Sequence, residues 1–422
     1  MKKIFLAGLI VVLTINCSLQ AQVKYDTVEV NGSQIQVRKI GLEERKIKQP
    51  IVIFEAGLTE ELNVWDQVVD QVAEFSPVLS YSRSGIGWSE LMGEKVTVES
   101  RADQLQLLLE TLEIEPPYIL VGNNWGNEVT REFAVKYPNQ VKGMIYLDPV
   151  MDLENVANLT AYLDEKGLDG ELLGQEYLEF QKFLKSRHSD VNEQEVNSFL
   201  GLLEENKLNW KAKENPNKKS IIILGRGNDM YPMMGKLSMN SREFYQLIID
   251  GKVEFFEEYT LENKNASLVL TSGGMNFLPN QRSLEITMAV KQLINTDVNL
   301  SIMSAALESD PQEFEGFING LESYIIKSLL SERVYNMLGY SLMRHDKNEQ
   351  ALVLFEKNLE RNPESANVYD SYGDGLLALG KIEEAIPYFK KAIELGTENS
   401  HRDLELFRKN LAKSKEMLAS QN

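Results

Sequence analysis

The stretch "EPPYILVGNNWGNEVTREFAVKYPNQVKGMIYLDPV", residues 115–150, decides the fold. It contains an apolar run at 118–122, a helix-forming segment from Trp125 to about Tyr137, and a second apolar run ending near Val150. Continuous apolar runs separated by helical segments are typical of parallel strands that are buried on both faces. Similar runs occur on either side, namely "PIVIFEAG" (50–57), "SPVLSYSRSGIGW" (76–88), "KSIIILGRGN" (219–228) and "ASLVLTSGG" (266–274). The sequence therefore predicts an α/β fold with a doubly wound, mostly parallel sheet.

Two further features complete this first domain, which we place at residues 22–297. Asn31-Gly32 separates two alternating runs, and this dipeptide is a strong signal for a β-hairpin. Between Met151 and Asn217 the strand signal disappears and charged helical segments replace it. An insertion at this point would lie above the carboxyl edge of the sheet, so we predict that residues 151–217 form a helical cap.

Residues 298–422 have an all-helical pattern with an internal repeat, in which two segments superimpose at a spacing of 34 residues. Small residues at the eighth and twentieth positions would let two antiparallel helices approach closely, and an aromatic residue at the twenty-fourth would fill the groove to the next unit. The pattern resembles the tetratricopeptide repeat, with units at 332–365 and 366–399. Pro363 ends the first unit as the repeat pattern expects, whereas Thr397 is a weaker stop. The matching residues are Tyr335, Gly339, Leu342, Ala351 and Phe355 in the first unit, and Tyr369, Gly373, Leu376, Ala385 and Phe389 in the second.

Two such units cannot bury their apolar faces alone, because about three are needed for a stable array. We therefore expect the helical stretches at 300–330 and 402–418 to cap the repeats. The functional interpretation is a surface that binds a protein or peptide. The alternative is a structural appendage that packs on the first domain, or on its copy in a dimer.

Composition limits the classes of function. The chain of 422 residues has 44 basic and 63 acidic residues, a formal net charge of -19 and no long basic run. Such a field repels nucleic acid, and no histidine or cysteine cluster or glycine-rich phosphate loop predicts a metal or phosphate cofactor.

The first 21 residues have the pattern of a secretory signal peptide. Lys2 and Lys3 precede an apolar stretch too short to span a bilayer as a mature helix, and a small residue, Ala21, follows it. We expect export to the periplasm or the medium. Lipid anchoring through Cys17 is the disfavoured alternative, because Asn16 stands where lipoprotein signals prefer a small residue.

Residues 25–295 resemble an α/β-hydrolase, and the resemblance is densest at 115–150. Hydrolases of this kind carry a Gly-His-Ser-x-Gly-Gly turn, a helix ending in Tyr-Pro, and a strand ending in Leu-Asp-Pro. This chain keeps Tyr137-Pro138 and Leu147-Asp148-Pro149. It also has "YSRSGIGWS" where the family has Tyr-Asp-Arg-x-Gly-x-Gly-x-Ser, with Ser82 in place of the aspartate.

The resemblance places unsuitable residues at the catalytic positions. Asn124 occupies the place of the nucleophilic serine, between the fold glycines Gly122 and Gly126. A carboxamide is a poor nucleophile and has no proton that a histidine could usefully remove. Met275 occupies the place of the catalytic histidine, and a thioether cannot shuttle a proton at neutral pH. The acid position falls on Asn228, or on Asp229 if the alignment shifts by one residue.

The resemblance also implies an oxyanion hole built from the backbone amides of Leu58 and Trp125, with Asn123 beside them. We therefore expect no catalytic residues at the family positions, and a non-catalytic protein that binds a partner through the repeats or an apolar small molecule under the cap, with Trp125 and Met275 as its lining. The alternative is an active ester or amide hydrolase with displaced groups, such as Ser82 or Ser84 with His188.

Overall fold

The computed structural model describes residues 25–46, 48–93, 96–186, 193–210, 218–227, 237–274, 278–295, 298–324 and 330–421. The predicted signal peptide with Cys17, and the site positions Met275, Asn228, Asp229 and His188, lie outside the described residues. None of the described helices combines the length and the apolar composition that a bilayer crossing requires.

The described residues form one eight-stranded sheet in the order β1-β2-β4-β3-β5-β6-β7-β8. The strands from β3 to β8 run parallel, and β2 pairs antiparallel with β1 and β4. This confirms the mostly parallel sheet. The strands are β1 (Asp26–Val30), β2 (Ser33–Ile40), β3 (Ile51–Glu55), β4 (Val78–Tyr81), β5 (Tyr118–Asn123), β6 (Val141–Leu147), β7 (Lys219–Gly227) and β8 (Ala266–Gly274).

The predicted hairpin joins β1 and β2. Val30 pairs with Ser33, and Asn31 and Gly32 between them have φ angles of 47° and 81°. Two successive positive φ values are those of a tight hairpin turn, in which asparagine and glycine are the favoured residues.

Helices cover both faces of the sheet, which confirms the doubly wound arrangement. On one face the core contains α2, α3 and α7, and on the other it contains α1, α8 and α9. The helices of this domain are α1 (Asp66–Ala73), α2 (Val98–Thr111), α3 (Gly126–Lys136), α4 (Val156–Glu165), α5 (Gly170–Ser186), α6 (Glu193–Glu204), α7 (Ser241–Glu262), α8 (Leu278–Gln281) and α9 (Ser283–Ile294).

The region between β6 and β7 is helical, as expected for a cap, and consists of α4, α5 and α6. The sequence analysis did not identify α7, whose residues Phe244 and Ile248 bury the apolar faces of α4 and α5. A Cβ atom at Gly251 of α7 would lie 2.5 Å from Leu153 Cδ2, so glycine permits the close approach of this helix. The 22-residue helix α7 therefore provides the surface on which the cap helices α4 and α5 pack.

The C-terminal domain consists of helices in the described residues, and its two repeats have the contacts expected from their sequence. A Cβ atom at Gly339 would lie 2.4 Å from the ring of Phe355, and one at Gly373 would lie 2.7 Å from the ring of Phe389. Phe355 also packs on Gly375 of the next unit. The helices are α10 (Val298–Glu308), α11 (Pro311–Tyr324), α12 (Glu332–Met343), α13 (Asn348–Arg361), α14 (Ala366–Ala378), α15 (Ile382–Glu398) and α16 (Leu404–Gln421).

The ends of the repeat array are covered by the flanking helices. Ile302 of α10 and Phe314 of α11 share a core with Leu338 of α12, and Phe407 of α16 packs with Leu395 of α15. Helix α15 continues through Thr397, which agrees with the weaker stop at that position. The two expected capping stretches therefore extend the array on both sides.

The helical domain contacts the first domain through α10 and α11. Lys48 Nζ lies 2.7 Å from Glu308 Oε2 of α10, and Gly320 of α11 lies against the side chain of Lys46. Both lysines precede β3, so the contact lies at the amino-terminal edge of the sheet.

A buried carboxyl group in the repeats gives a test of their stability. Burial and the neighbouring Asp374 raise the pKa of Asp370 to about 7, although Asn410 donates a hydrogen bond to it. The unfolded pKa is about 3.9, so the folded state holds more protons between these values and stability falls as pH rises. We expect Asp370→Asn to stabilise the repeats at pH 8 by roughly 1–3 kcal/mol and at pH 5 by about a third of that amount, because at pH 5 the folded carboxyl is still protonated.

Hydrogen–deuterium exchange of peptides from α14 and α16, corrected for intrinsic rates, measures this difference. Comparison of the same variant at pH 5 and pH 8 is the internal control. Equal changes in protection at both pH values would contradict the assigned pKa.

Candidate functional site

The turn between β5 and α3 has the tight geometry that its glycines require. A Cβ atom at Gly122 would lie 2.7 Å from Asn127 Oδ1, and one at Gly126 would lie 2.3 Å from the carbonyl oxygen of Ala56. Any larger residue would push α3 away from β3. Asn124 therefore stands at the apex of the turn, as the resemblance implies.

The backbone of Asn124 is held in the left-handed region, with a φ of 47°. Its amide donates to Leu147 O at 2.8 Å, and its carbonyl accepts from the Asn127 amide at 3.1 Å and from Asn127 Nδ2 at 2.7 Å. Asparagine is one of the few residues besides glycine that tolerate this region. The residue is half-buried, and it suits the geometry of the turn better than it suits nucleophilic attack.

The oxyanion hole that the resemblance implies would use the backbone amides of Leu58 and Trp125. In the part of the chain that the structure describes, neither the Leu58 nor the Trp125 amide has a hydrogen-bond acceptor. Asn123 does not join them, because its Nδ2 donates to Glu60 Oε2 at 2.9 Å and its side chain is fully buried. The side chain of Asn123 is therefore held by Glu60, and its place beside the hole stays a prediction.

Trp125, which the sequence analysis expects to line a pocket under the cap, is fully buried among the described residues. The indole packs with Leu58 and with Phe199 and Leu203 of the cap helix α6. The guanidinium carbon of Arg83 lies 5.3 Å from the ring centroid. The cap thus closes directly on the residue that follows Asn124.

A buried ionic network holds the cap in this position. Arg83 contacts Glu55 Oε1 of β3 at 2.6 Å and Glu195 Oε1 of α6 at 2.6 Å. Arg101 of α2 contacts the other oxygen of Glu195 at 2.9 Å, and the amide of Thr59 donates to Glu195 at 3.2 Å. The side chains of all four charged residues are at most 2% exposed.

The two glutamates of this network have opposite pKa shifts. Burial alone would raise the pKa of Glu195, but the charges and hydrogen bonds of Arg83 and Arg101 outweigh it and lower the pKa. Burial raises the pKa of Glu55, although Arg83 and the hydroxyl of Tyr81 donate to it. Glu195 is therefore the firmly ionised member, and it links the cap to two arginines of the sheet domain.

The serines of the alternative hydrolase are engaged in structural hydrogen bonds. Ser82 Oγ donates to Gln36 Oε1 at 3.1 Å and accepts from the Leu62 amide at 3.1 Å. Ser84 Oγ accepts from the Met92 amide at 2.5 Å. Both serines are buried, so neither hydroxyl is placed to attack a substrate.

Asp148 is the carboxylate that ends β6. Its Oδ1 accepts from the Gly225 amide at 2.8 Å and its φ is 40°, so it fixes the end of β6 against β7. Gln281 Oε1 similarly accepts from the Gly274 amide at 2.8 Å, next to position 275. The described histidines, His345 and His401, both lie in the helical domain.

Sequence reasoning missed the ionic network. Glu55 was the available signal, because it is a charged residue at the end of an otherwise apolar buried strand. Glu195 gave no signal, because it lies in a charged helix and 112 residues separate it from Arg83.

Removal of the Glu195 charge tests the role of this network. Arg83 and Arg101 would remain buried without the negative charge of Glu195. We therefore expect Glu195→Gln to destabilise the first domain by about 3 kcal/mol or more. Urea unfolding followed by tryptophan fluorescence measures this, since all four tryptophans lie in the first domain. The difference should begin to shrink below about pH 4.5, where Glu195 of the unfolded parent takes up a proton, and should be lost as pH falls through the lower pKa of the folded state.

The exposed Glu193 of the same helix turn provides the matched control. Glu193→Gln should change the free energy of unfolding by less than about 0.5 kcal/mol. Similar effects of the two substitutions would show that the network does not hold the cap.

The comparisons with known proteins match the two domains separately. A family model described as alpha/beta hydrolase fold matches residues 50–223, and a tetratricopeptide repeat model matches residues 366–395. An AB hydrolase superfamily protein of Gibberella zeae is 33% identical over 108 residues, which cover 24% of this chain and 33% of that protein. The uncharacterized protein YqjL of Bacillus subtilis is 29% identical over 100 residues, which cover 24% of this chain and 40% of that protein. The matched regions thus span well under two thirds of these relatives.

Similar solved structures include a bacterial membrane phospholipase A, with 15% identity and a TM-score of 0.43 over 64% of this chain and 85% of that one. An enol-lactonase of Burkholderia xenovorans has 15% identity and a TM-score of 0.41 over 64% of this chain and 99% of that one. The two family models fall on the sheet domain and on the second repeat, respectively. The chain is an α/β-hydrolase fold domain followed by tetratricopeptide repeats.

Proposed function

We propose that this protein is an exported α/β-hydrolase-fold protein that has lost hydrolytic activity and acts by binding, with its C-terminal repeats as the module that contacts a protein or peptide. The observation that carries the proposal is Asn124 at the apex of the turn, with a φ of 47° and both neighbouring fold glycines retained. The position keeps the geometry of a nucleophile and holds a side chain that cannot serve as one.

The chemistry of the side chain supports the loss of activity. The lone pair of an amide nitrogen is delocalised into the carbonyl, and the amide oxygen is a weak nucleophile. The sequence places Met275 where the family has its base, and no described histidine lies in the first domain. Removal of the serine or the histidine from such a triad costs on the order of a millionfold in turnover.

The amides of Leu58 and Trp125 do not offset this loss. Oxyanion stabilisation and binding without the other groups give at best roughly a thousandfold over water. In addition, Glu195 and Trp125 close the cap over the turn, and both are fully buried. A carbonyl substrate would first have to displace this contact.

An active hydrolase with displaced groups remains the alternative. It needs Ser82 or Ser84 to be released from the hydrogen bonds described above and His188 to reach one of them. Burial of both serines counts against it. Conversion of Asn124 to aspartate would be a second route to a nucleophile, but Trp125, a bulky following residue, disfavours spontaneous deamidation.

The binding half of the proposal is supported by the repeats. The two units, extended by α10, α11 and α16, form a continuous helical array, and repeats of this class commonly present a surface to peptides. The first helix of each unit, α12 or α14, carries polar side chains. Tyr340 of α12 donates to Asp374 of α14 at 3.0 Å.

Hydrolysis of activated short-chain esters tests the loss of activity. We expect the parent protein to give no turnover above that of an unrelated protein of similar mass. Asn124→Ser combined with Met275→His should raise turnover by at least about tenfold, because it restores a hydroxyl and an imidazole on an intact scaffold. The matched control is Asn124→Ala with Met275→His, which has the imidazole without the hydroxyl and should stay inactive.

Parent turnover of about one per second or more would contradict the proposal. If that turnover disappeared in His188→Ala, the alternative hydrolase would replace it. Turnover that is unaffected by His188→Ala would indicate another nucleophile.

Export is the remaining part of the proposal, and it is supported by the pattern of residues 1–21. We expect the exported protein to begin at Gln22 and to carry no lipid, which intact-mass measurement of the extracytoplasmic fraction determines. A mass that corresponds to a diacylated chain beginning at Cys17, and its loss in Cys17→Ser, would establish the lipid anchor instead.

A further inference from the structure

A cavity of about 780 Å³ lies between the two domains, far from the turn at Asn124. One wall consists of the residues that begin β3, β5, β6, β7 and β8, and the other consists of α10 and α11. Tyr118 pairs with Val141 and Gly143 pairs with Lys219, so these strand starts lie side by side. Asn124 follows the opposite, carboxyl end of β5, and the cavity is therefore distinct from the site described above.

The charge of the cavity is opposite to that of the chain. Lys48, Lys142, Lys218 and Lys219 line it, and none of the described lining residues is aspartate or glutamate. The chain as a whole has 63 acidic and 44 basic residues, so four lysines around one cavity are a local excess of positive charge, even with Glu308 of α10 paired to Lys48. Charges of one sign around a concave surface add to a strong local potential.

The rest of the lining is largely apolar. Phe317 and Leu321 of α11, Ile294 at the end of α9 and Val298 of α10 lie along it, each at most 6% exposed. Cavities of roughly 300–1,000 Å³ with apolar walls and a few convergent polar groups are typical of small-molecule sites. This lining suits a ligand with an apolar body and a negatively charged end.

A bound anion would stabilise the charged forms of two of the lysines. Burial lowers the pKa of Lys218, which means that its charged form lacks full solvation. Lys48 binds Glu308 at 2.7 Å, but both side chains are solvent-exposed, at 46% and 61%. Exposed ion pairs of this kind contribute little and exchange readily, so a ligand can compete with Glu308 for Lys48.

We propose that this cavity binds an amphiphilic anion, with a carboxylate or phosphate group at the lysines and an apolar body against α10 and α11. Because its walls belong to both domains, the bound ligand would also strengthen the contact between the helical domain and the sheet. The proposal does not depend on the state of Asn124 or on the proposed function.

Anilinonaphthalene sulfonate is a suitable probe, because it combines aromatic rings with one anionic group. Phenylnaphthylamine has the same rings without the sulfonate and is its uncharged control. We expect the purified full-length protein to bind the sulfonate at one site and at least about tenfold more tightly than the uncharged control, as measured by fluorescence titration.

Two sets of variants locate the site. Lys142→Gln with Lys218→Gln should weaken binding of the sulfonate by about tenfold or more. Lys390→Gln with Lys415→Gln changes the net charge equally at exposed positions of the helical domain and should have less than about twofold effect. Ser301→Trp keeps every lysine and fills the cavity from α10, so it should also abolish binding.

Displacement of the bound sulfonate by decanoate or by decyl phosphate, each below its micellar concentration, distinguishes a carboxylate from a phosphate headgroup. Decanol, which has no charge, should not displace the sulfonate. Equal affinity for the sulfonate in the parent, the lysine variants and Ser301→Trp would overturn the proposal. So would equal affinity of the parent for phenylnaphthylamine. Thermal unfolding of each variant verifies that it is folded.

Discussion

The close contact between the first turn of α3 and the end of β3 is the constraint on which the first domain depends. Gly126 lies so near the carbonyl of Ala56 that any side chain there would force the helix off the sheet, and Gly122 is limited in the same way by Asn127. Next to this contact the backbone of Asn124 is left-handed, with a φ of 47°. The preserved contact thus maintains the shape of a catalytic turn independently of the residue at its apex.

Geometry and chemistry are separable at this turn. Asparagine tolerates a φ of 47°, so a carboxamide at this position is compatible with the fold of the turn. The cap closes the space above the turn. It buries Trp125, and Glu195 of the cap forms ion pairs with Arg83 and Arg101. A buried ion pair is costly to break by removing one partner, which makes the closed cap a firm part of the structure.

The parts that the sequence predicted are those with local or periodic signals. The strands, the Asn31-Gly32 turn and the Gly339–Phe355 contact follow from spacing and residue size alone. The parts that it did not predict depend on residues distant in the chain. The hydrogen bond of Asn123 to Glu60 and the burial of Trp125 are examples at the site, and the four lysines of the interdomain cavity come from separate strand starts. No single window of sequence contains these neighbours.

The central claim is that an intact hydrolase scaffold has no activated nucleophile. Its most direct test is the intact mass of the parent protein after incubation with an excess of a fluorophosphonate, which reacts with activated serine hydroxyls. The account predicts that the mass is unchanged, because Ser82 and Ser84 are buried and hydrogen-bonded and position 124 carries an amide. A stoichiometric adduct that maps to a residue of the first domain would contradict it.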